Sequence, residues 1–209
     1  MKPWILATLM IALAPLPLVS QTRGSSPQAA PVPAPKAKPR VVLETSFGTI
    51  ELELEPALAP ATVENFLRYV REGHYAGTVF HRVIPNFMIQ GGGHLEDLAE
   101  KPTRAPIRNE APASAAGGLR NTRGTVAMAR TGEPHSATAQ FFINTKDNPF
   151  LDNKDTTTEG YGYCAFGRVV AGMETVEKIE KVRTVWRRGM QNVPEFAVRI
   201  KAARIVEAR

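Results

Sequence analysis

The sequence predicts an all-β fold, a closed antiparallel barrel accompanied by two helices. Three observations lead there. Beyond residue 40, many short apolar runs alternate with polar residues at a period near two. Only two segments carry helical spacing instead. The chain has 209 residues, 43% of them hydrophobic, which suffices for one core and one domain. Many strands with few helices bury their apolar faces by curling the sheet onto itself.

Two segments of different composition precede that domain. Residues 1–20 have the form of a secretory signal: Lys2 is the charged start, residues 4–18 are apolar, and Leu18-Val19-Ser20-Gln21 is the cleavage region. An uncleaved membrane anchor is the alternative, because about 18 apolar residues just span a bilayer. Pro15 and Pro17 weaken a long helix and favour the cleaved signal, hence an exported, periplasmic protein. Residues 21–40 carry five prolines among Ser and Ala and predict an extended, disordered linker. Residues 41–209 form the expected folded domain.

The charge belongs largely to the first 40 residues. The chain holds 26 Lys+Arg and 20 Asp+Glu. Residues 1–40 contain five basic residues and no acidic one, which leaves 21 basic against 20 acidic in 41–209. A folded part with net charge near +1 lacks the basic stripe that nucleic acid requires, so no nucleic-acid partner is expected.

The elements follow in order. Residues 41–45 and 49–55 make a hairpin about a turn at Phe47-Gly48; Ile50, Leu52 and Leu54 face inward and the glutamates face water. Pro60 opens a helix at a position that needs no N–H, with Val63, Phe66, Leu67 and Val70 on one face and Gly73 as the stop. Residues 79–84 and 87–90 read as two strands about Pro85-Asn86, with Arg82 facing away from His81 and Val83, and with Met88 and Gln90 opposite Ile89. A loop over 94–118 leads to strands at 124–130 and 140–144. In the first, Met128 faces opposite to Ala127 and Ala129; in the second, Gln140 and Phe142 share one face while Phe141 and Ile143 share the other. Asn148 to Asp152 forms a turn, 162–170 a strand, 173–179 a short helix and 198–206 the closing strand.

Two stretches carry the chemistry. One is Phe80-His81-Arg82-Val83-Ile84-Pro85-Asn86-Phe87-Met88-Ile89-Gln90-Gly91-Gly92-Gly93. The other is Gly124-Thr125-Val126-Ala127-Met128-Ala129-Arg130-Thr131, followed by Ser136-Ala137-Thr138-Ala139-Gln140-Phe141-Phe142-Ile143-Asn144. In order and spacing they resemble the cyclophilins, the peptidyl-prolyl cis-trans isomerases, and in particular their bacterial exported branch. The likeness runs over about 41–206. It implies a closed eight-stranded antiparallel cyclophilin-like barrel capped by two helices. It also implies a cofactor-independent isomerase that turns X–Pro bonds and assists the folding of exported proteins. Implied partners are proline-containing polypeptides, unfolded exported proteins among them, met by a monomer.

Amide physics says what such a site needs. Resonance gives the C–N bond double-bond character and a barrier of ~18–20 kcal/mol. No bond breaks, so no nucleophile or metal is required. The catalyst grips the ring and favours the twisted amide, whose nitrogen regains a lone pair that a guanidinium can meet. By resemblance Arg82 takes that catalytic role and Gln90 orients it. Phe87, Met88, Phe142 and Leu151 match the proline pocket. Ala129 and Arg130 match the segment that pairs with substrate backbone, and Gln140, Phe150 and Tyr163 complete the substrate-binding set. Arg82 and Gln90 together favour catalysis over a prolyl-peptide-binding chaperone, which needs only the pocket.

Some residues depart from the pattern or stand outside it. Arg130 replaces an asparagine found in many members, at a contact expected to be largely main-chain. Phe150 stands where many eukaryotic members have tryptophan, and Tyr163 where they have histidine. The tryptophan is tied to tight cyclosporin binding, so weak cyclosporin binding is implied. Residues 154–160 read as a small insertion at the pocket's edge. His81 reads as a packed, satisfied histidine, and His74, His94 and His135 lack metal-ligand spacing. Cys164, the one cysteine, allows no internal disulfide and should face the core as an inert thiol.

Overall fold

A computed structural model describes residues 38–206; the expected signal segment and nearly all of the expected linker lie outside the described residues. The chain runs β1 (Arg40–Thr45), β2 (Gly48–Leu54), α1 (Pro60–Arg71), β3 (Val79–Ile84), β4 (Met88–His94), α2 (Ala111–Ala116), β5 (Thr125–Met128) and β6 (Phe141–Asn144). A 3-10 turn (Pro149–Leu151) leads into β7 (Ala165–Ala171), α3 (Met173–Glu180), β8 (Thr184–Arg187), β9 (Met190–Pro194) and β10 (Ile200–Val206). Eight strands form one antiparallel sheet in the order β10-β1-β2-β7-β5-β6-β4-β3, and β8–β9 is a separate hairpin.

The strand number of the main sheet agrees with expectation, but the sheet is not a closed barrel. Its outer strands, β3 and β10, meet at the isolated bridge Val79–Arg199. The Phe80 N–H donates to Val198 O at 2.9 Å and the Ile200 N–H to Thr78 O at 2.8 Å. Past that point β9 packs against β3, so no ladder continues. Alternation along a strand says which face is buried; it does not say whether two distant edges pair.

Helices number three among the described residues, not two. The loop expected over 94–118 contains α2, six residues of Ala, Pro and Ser with no apolar period to betray it. Tertiary hydrogen bonds hold it: Ser114 Oγ donates to Ala165 O at 2.5 Å, and Asn109, whose Oδ1 accepts from the Ala111 N–H at 2.9 Å, donates its Nδ2 to Gly162 O at 3.0 Å. Glu110, just ahead of it, caps a different helix. Its carboxylate accepts from the Ala61 and Thr62 N–H groups at 3.2 and 2.8 Å, where α1 has no cap of its own. At the other end of α1, Gly73 sits at φ +67°, the left-handed stop expected there.

The sheet curls around a core filled from both partners. α1 contributes Val63, Phe66, Leu67 and Val70, and the strands contribute Leu43, Ile50, Leu52, Val83, Ile89, Phe141 and Phe166. The Phe66 ring lies edge-on to Phe141 at 5.6 Å and tilted against Phe166 at 5.2 Å. Cys164 is buried in this core, and burial pushes its thiol up to about 12. Gly92 explains part of the glycine run. It holds φ +86°, and a Cβ there would stand 2.8 Å from Tyr75 Cε1 and 2.9 Å from Phe141 Cε1.

One irregularity re-aims the first site strand. Phe80 pairs with Gly91 and Arg82 with Gln90, so the register slips at His81 and leaves a β-bulge. Phe80 and Val83 both reach the core although three residues apart. Strict alternation expected Arg82 to face away from His81; instead both line one cleft outside the sheet. Nor is His81 satisfied, since its Nδ1 is buried with no hydrogen-bond partner among the described residues. Its ring packs against His94 at 4.2 Å.

Burial, and next the neighbouring His94, hold His81 down to about 3, against an ordinary value of 6.5. Between those values the unfolded chain takes up a proton that the folded chain refuses. Stability from this group is therefore whole above about pH 6.5 and is lost as the pH falls toward 3. From pH 7 to 4.5 the loss should be about 2–3 kcal/mol at this site. Denaturant titrations of the wild type and His81→Gln at both pH values check it, with the expectation that the pH difference shrinks by that amount in the variant. An equal pH difference in both proteins would show that His81 is protonated in the folded state.

Candidate active site

Period two assigns one face of each strand to the core and leaves the other for a pocket. In β4, Ile89 enters the core while Met88 and Gln90 turn outward; in β6, Phe141 and Ile143 enter and Phe142 turns outward; in β5, Val126 and Met128 enter and Ala127 turns outward. These are the facings expected from sequence. A second apolar cluster of Met88, Leu119, Ala127, Phe142, Leu151 and Ala165 forms on that outer side, flanked by Phe87, Ala129 and Tyr163.

Above it opens a pocket of about 300 Å³. Nine of the eleven expected site residues line it: Arg82, Phe87, Met88, Gln90, Ala129, Arg130, Phe142, Leu151 and Tyr163. The other two stand beside it. Gln140 accepts a hydrogen bond on Oε1 from Gln90 Nε2 at 3.0 Å. Phe150 stacks on Phe87 with centroids 5.6 Å apart and is 60% exposed, so it forms a rim rather than a wall.

Polar order in the pocket runs along one chain. Arg82 and Gln90 are directly opposed across β3 and β4. Arg82 Nη1 donates to Gln90 Oε1 at 3.2 Å, the one hydrogen bond of that guanidinium among the described residues, and no carboxylate there forms an ion pair with it. Gln90, itself held by Gln140, thus positions the cation, which lines the pocket. Gly93 makes the second link possible: a Cβ there would lie 2.3 Å from Gln140 Cγ. The Ala129 N–H donates to Gln140 O at 3.0 Å, which leaves its carbonyl to accept from a bound chain.

Arg130 does more than a main-chain contact requires. Its guanidinium lies 4.6 Å above the Tyr163 ring and donates to Gly162 O, Thr131 O and Gly132 O at 3.0 Å, and to Thr158 O at 3.3 Å. The two departures at 130 and 163 are therefore a contacting pair. Together they fasten the segment over 154–160, which also closes on itself through Lys154 N–H to Gly160 O at 2.8 Å.

Sequence reasoning missed the polar floor beneath the pocket. Asn144 Nδ2 donates to Thr125 Oγ1 at 2.9 Å, and Asn148 Nδ2 to Asn144 Oδ1 at 2.8 Å and Phe87 O at 2.9 Å. Asn121 Nδ2 donates to Asp152 Oδ1 at 3.0 Å and Tyr163 O at 3.1 Å. All four of Asn121, Asn144, Asn148 and Asp152 are buried. They tie the backbones of Phe87, Leu151 and Tyr163, three pocket residues, to one another. An Asn ending the apolar run Phe141-Phe142-Ile143 was the signal available, because a buried amide demands partners.

An apolar pocket edged by a guanidinium with no ion pair among the described residues and by the Ala129–Arg130 backbone just past β5 suits a proline ring and its flanking backbone. Comparison with known proteins points the same way. The family described as Cyclophilin type peptidyl-prolyl cis-trans isomerase/CLD matches residues 40–205. The chain is 58% identical over 166 residues to peptidyl-prolyl cis-trans isomerase cyp18 of Streptomyces antibioticus, covering 79% of this chain and 98% of that protein. It is 51% identical over 168 residues to peptidyl-prolyl cis-trans isomerase B of Escherichia coli K12, covering 80% and 99%. Among solved structures, a Cryptosporidium parvum cyclophilin type peptidyl-prolyl cis-trans isomerase, crystallised in the presence of the dipeptide Ala-Pro, superposes with TM-score 0.64 at 25% identity, covering 81% of this chain and 99% of that one. The chain therefore belongs to the cyclophilin-type peptidyl-prolyl cis-trans isomerases and is an enzyme of that class.

Proposed function

We propose that Arg82 is the catalytic group of this isomerase and that its substrates are X–Pro bonds of exported polypeptides. The observation that carries the first part is the unpaired guanidinium at the lip of an apolar pocket, backed by Gln90 and Gln140. Phe87, Met88, Phe142 and Leu151 take the proline ring, which has no N–H to satisfy. The Ala129 carbonyl and the Arg130 segment hold the preceding backbone. As the amide twists, resonance is lost and the nitrogen lone pair becomes available to an Arg82 N–H. That hydrogen bond exists only in the twisted state, so it lowers the barrier rather than merely tightening binding. The reaction needs no covalent intermediate, and the groups described supply each interaction it requires.

Replacing Arg82 separates rate from affinity. Arg82→Ala should lose about 2 kcal/mol or more of transition-state stabilisation, roughly 30-fold in kcat/KM on an Ala-Pro peptide. Affinity for the same peptide should fall less, because the apolar pocket remains. A protease-coupled isomerase assay beside calorimetry checks it; equal small losses in both would remove Arg82 from the role.

Phe150 tests the rim. It offers no indole N–H and stands largely in solvent, so a large cyclic ligand such as cyclosporin gains little from it. Phe150→Trp should tighten cyclosporin about tenfold, through one net hydrogen bond and added aromatic area, while Ala-Pro turnover stays within a few fold. Unchanged drug affinity would place Phe150 outside the ligand's reach.

Export rests on the apolar run over 4–18 and the Pro-rich residues that follow. N-terminal sequencing of protein from a periplasmic fraction should find a start near residue 21. An intact residue 1 on membrane-extracted protein would favour the anchor instead.

A further inference from the structure

The β8–β9 hairpin lies outside the main sheet, yet it packs against β3, the strand that carries Arg82. Between them is a cleft of about 330 Å³ that the isomerase mechanism does not use. Met190, Gln191 and Asn192 form its hairpin wall; His81, His94 and Gln140 form the other. Arg82 and Gln90 stand in both this cleft and the proline pocket, so the two depressions share an edge. A polypeptide whose proline fills the pocket can therefore place a flanking residue in the cleft.

We propose that this cleft is a second subsite, which selects an uncharged hydrogen-bonding side chain, such as Gln or Asn, near the proline of the substrate. This rests on the isomerase reading and extends it to substrate choice. The lining argues the chemistry. The exposed Gln191 and half-buried Asn192 have no side-chain hydrogen bond among the described residues, so both amides are free to turn to a group held in the cleft. An aliphatic side chain offers those amides no partner, whereas an amide offers both donors and acceptors. An acidic side chain would instead be drawn to Arg82 at the shared edge, away from the hairpin amides.

The hairpin backbone is shaped for this as well. Asn192 holds φ +60° within β9, a left-handed conformation unusual in a strand. The residue sits where the register of β8 and β9 slips, so it belongs to a β-bulge, and both Gln191 and Asn192 line the cleft there.

The test uses the full chain and a set of Ala-Pro peptides extended by three residues on each side, with Gln or Leu at each flanking position in turn. At one position the wild type should prefer Gln over Leu about tenfold in kcat/KM, as one or two net hydrogen bonds allow. The variant Gln191→Ala with Asn192→Gly, which keeps the left-handed backbone, should bring that ratio close to one. No such position, or a preference that survives the double variant, overturns the subsite. Nitrogen-15 NMR gives a reading independent of turnover: the Gln191 and Asn192 side-chain amides should shift with the extended Gln peptide and not with the short Ala-Pro peptide. Amides that stay in place with both overturn the subsite whatever the rate. Loss of turnover on the short peptide would instead count against the isomerase reading, so the two failures are distinct.

Discussion

A sheet curled around a filled interior has no room inside for a ligand. Phe66, Tyr75, Phe141 and Phe166 and the aliphatic residues around them occupy the space, so chemistry is confined to the outer face. Each strand that builds the site therefore serves two surfaces at once. Phe141 and Phe142 are neighbours in sequence, one sealing the core and the other walling the pocket. Shifting β6 by one residue would exchange them and destroy both surfaces together. The position of Arg82 depends on the same constraint. The bulge lets Phe80 and Val83 both reach the core while the arginine still turns outward.

Apolar packing cannot by itself place a pocket made from β4, β6 and the Asn148–Asp152 turn. That alignment falls to the buried amides beneath it. Asn121 and Asn148 donate to backbone carbonyls of pocket residues, and Asn144 links the two by accepting from Asn148 and donating to Asn121, each hydrogen bond having a definite direction. An unsatisfied amide in such a place costs about 1–3 kcal/mol, so displaced arrangements of the turn are strongly disfavoured. The network also explains how a short 3-10 turn with only Leu151 buried can form a dependable wall. Arg82, Gln90 and Gln140 repeat this pattern at the lip, where directional hydrogen bonds orient a group whose charge is left for the substrate.

The rim is where this chain differs most from the resemblance first read in it. Arg130 and Tyr163 are departures that touch each other: the guanidinium stacks on the ring and gathers the carbonyls of Thr158, within the 154–160 segment, and of Gly162. Phe150 stacks on Phe87 with most of its surface in water. The inner pocket is built from Met88, Phe142 and Leu151, residues distinct from those of the rim, so the two can vary separately.

By itself the sequence determined the facings and helix ends where the backbone keeps regular local spacing. Period two gave the facings of Met88, Gln90, Phe141 and Phe142; Pro60 and Gly73 bounded α1; and nine of the expected site residues meet in one pocket. Tertiary structure alone decided four things. The outer strands touch at a bridge instead of closing, because β9 occupies the flank of β3. α2 exists because Ser114 and Asn109 find partners distant in sequence. His81 shares a cleft with Arg82 because a bulge overrides alternation. The hairpin, finally, meets β3 from more than a hundred residues further along the chain. Each depends on pairings between groups far apart along the chain, and alternation, propensity and turn residues carry no information about such pairings.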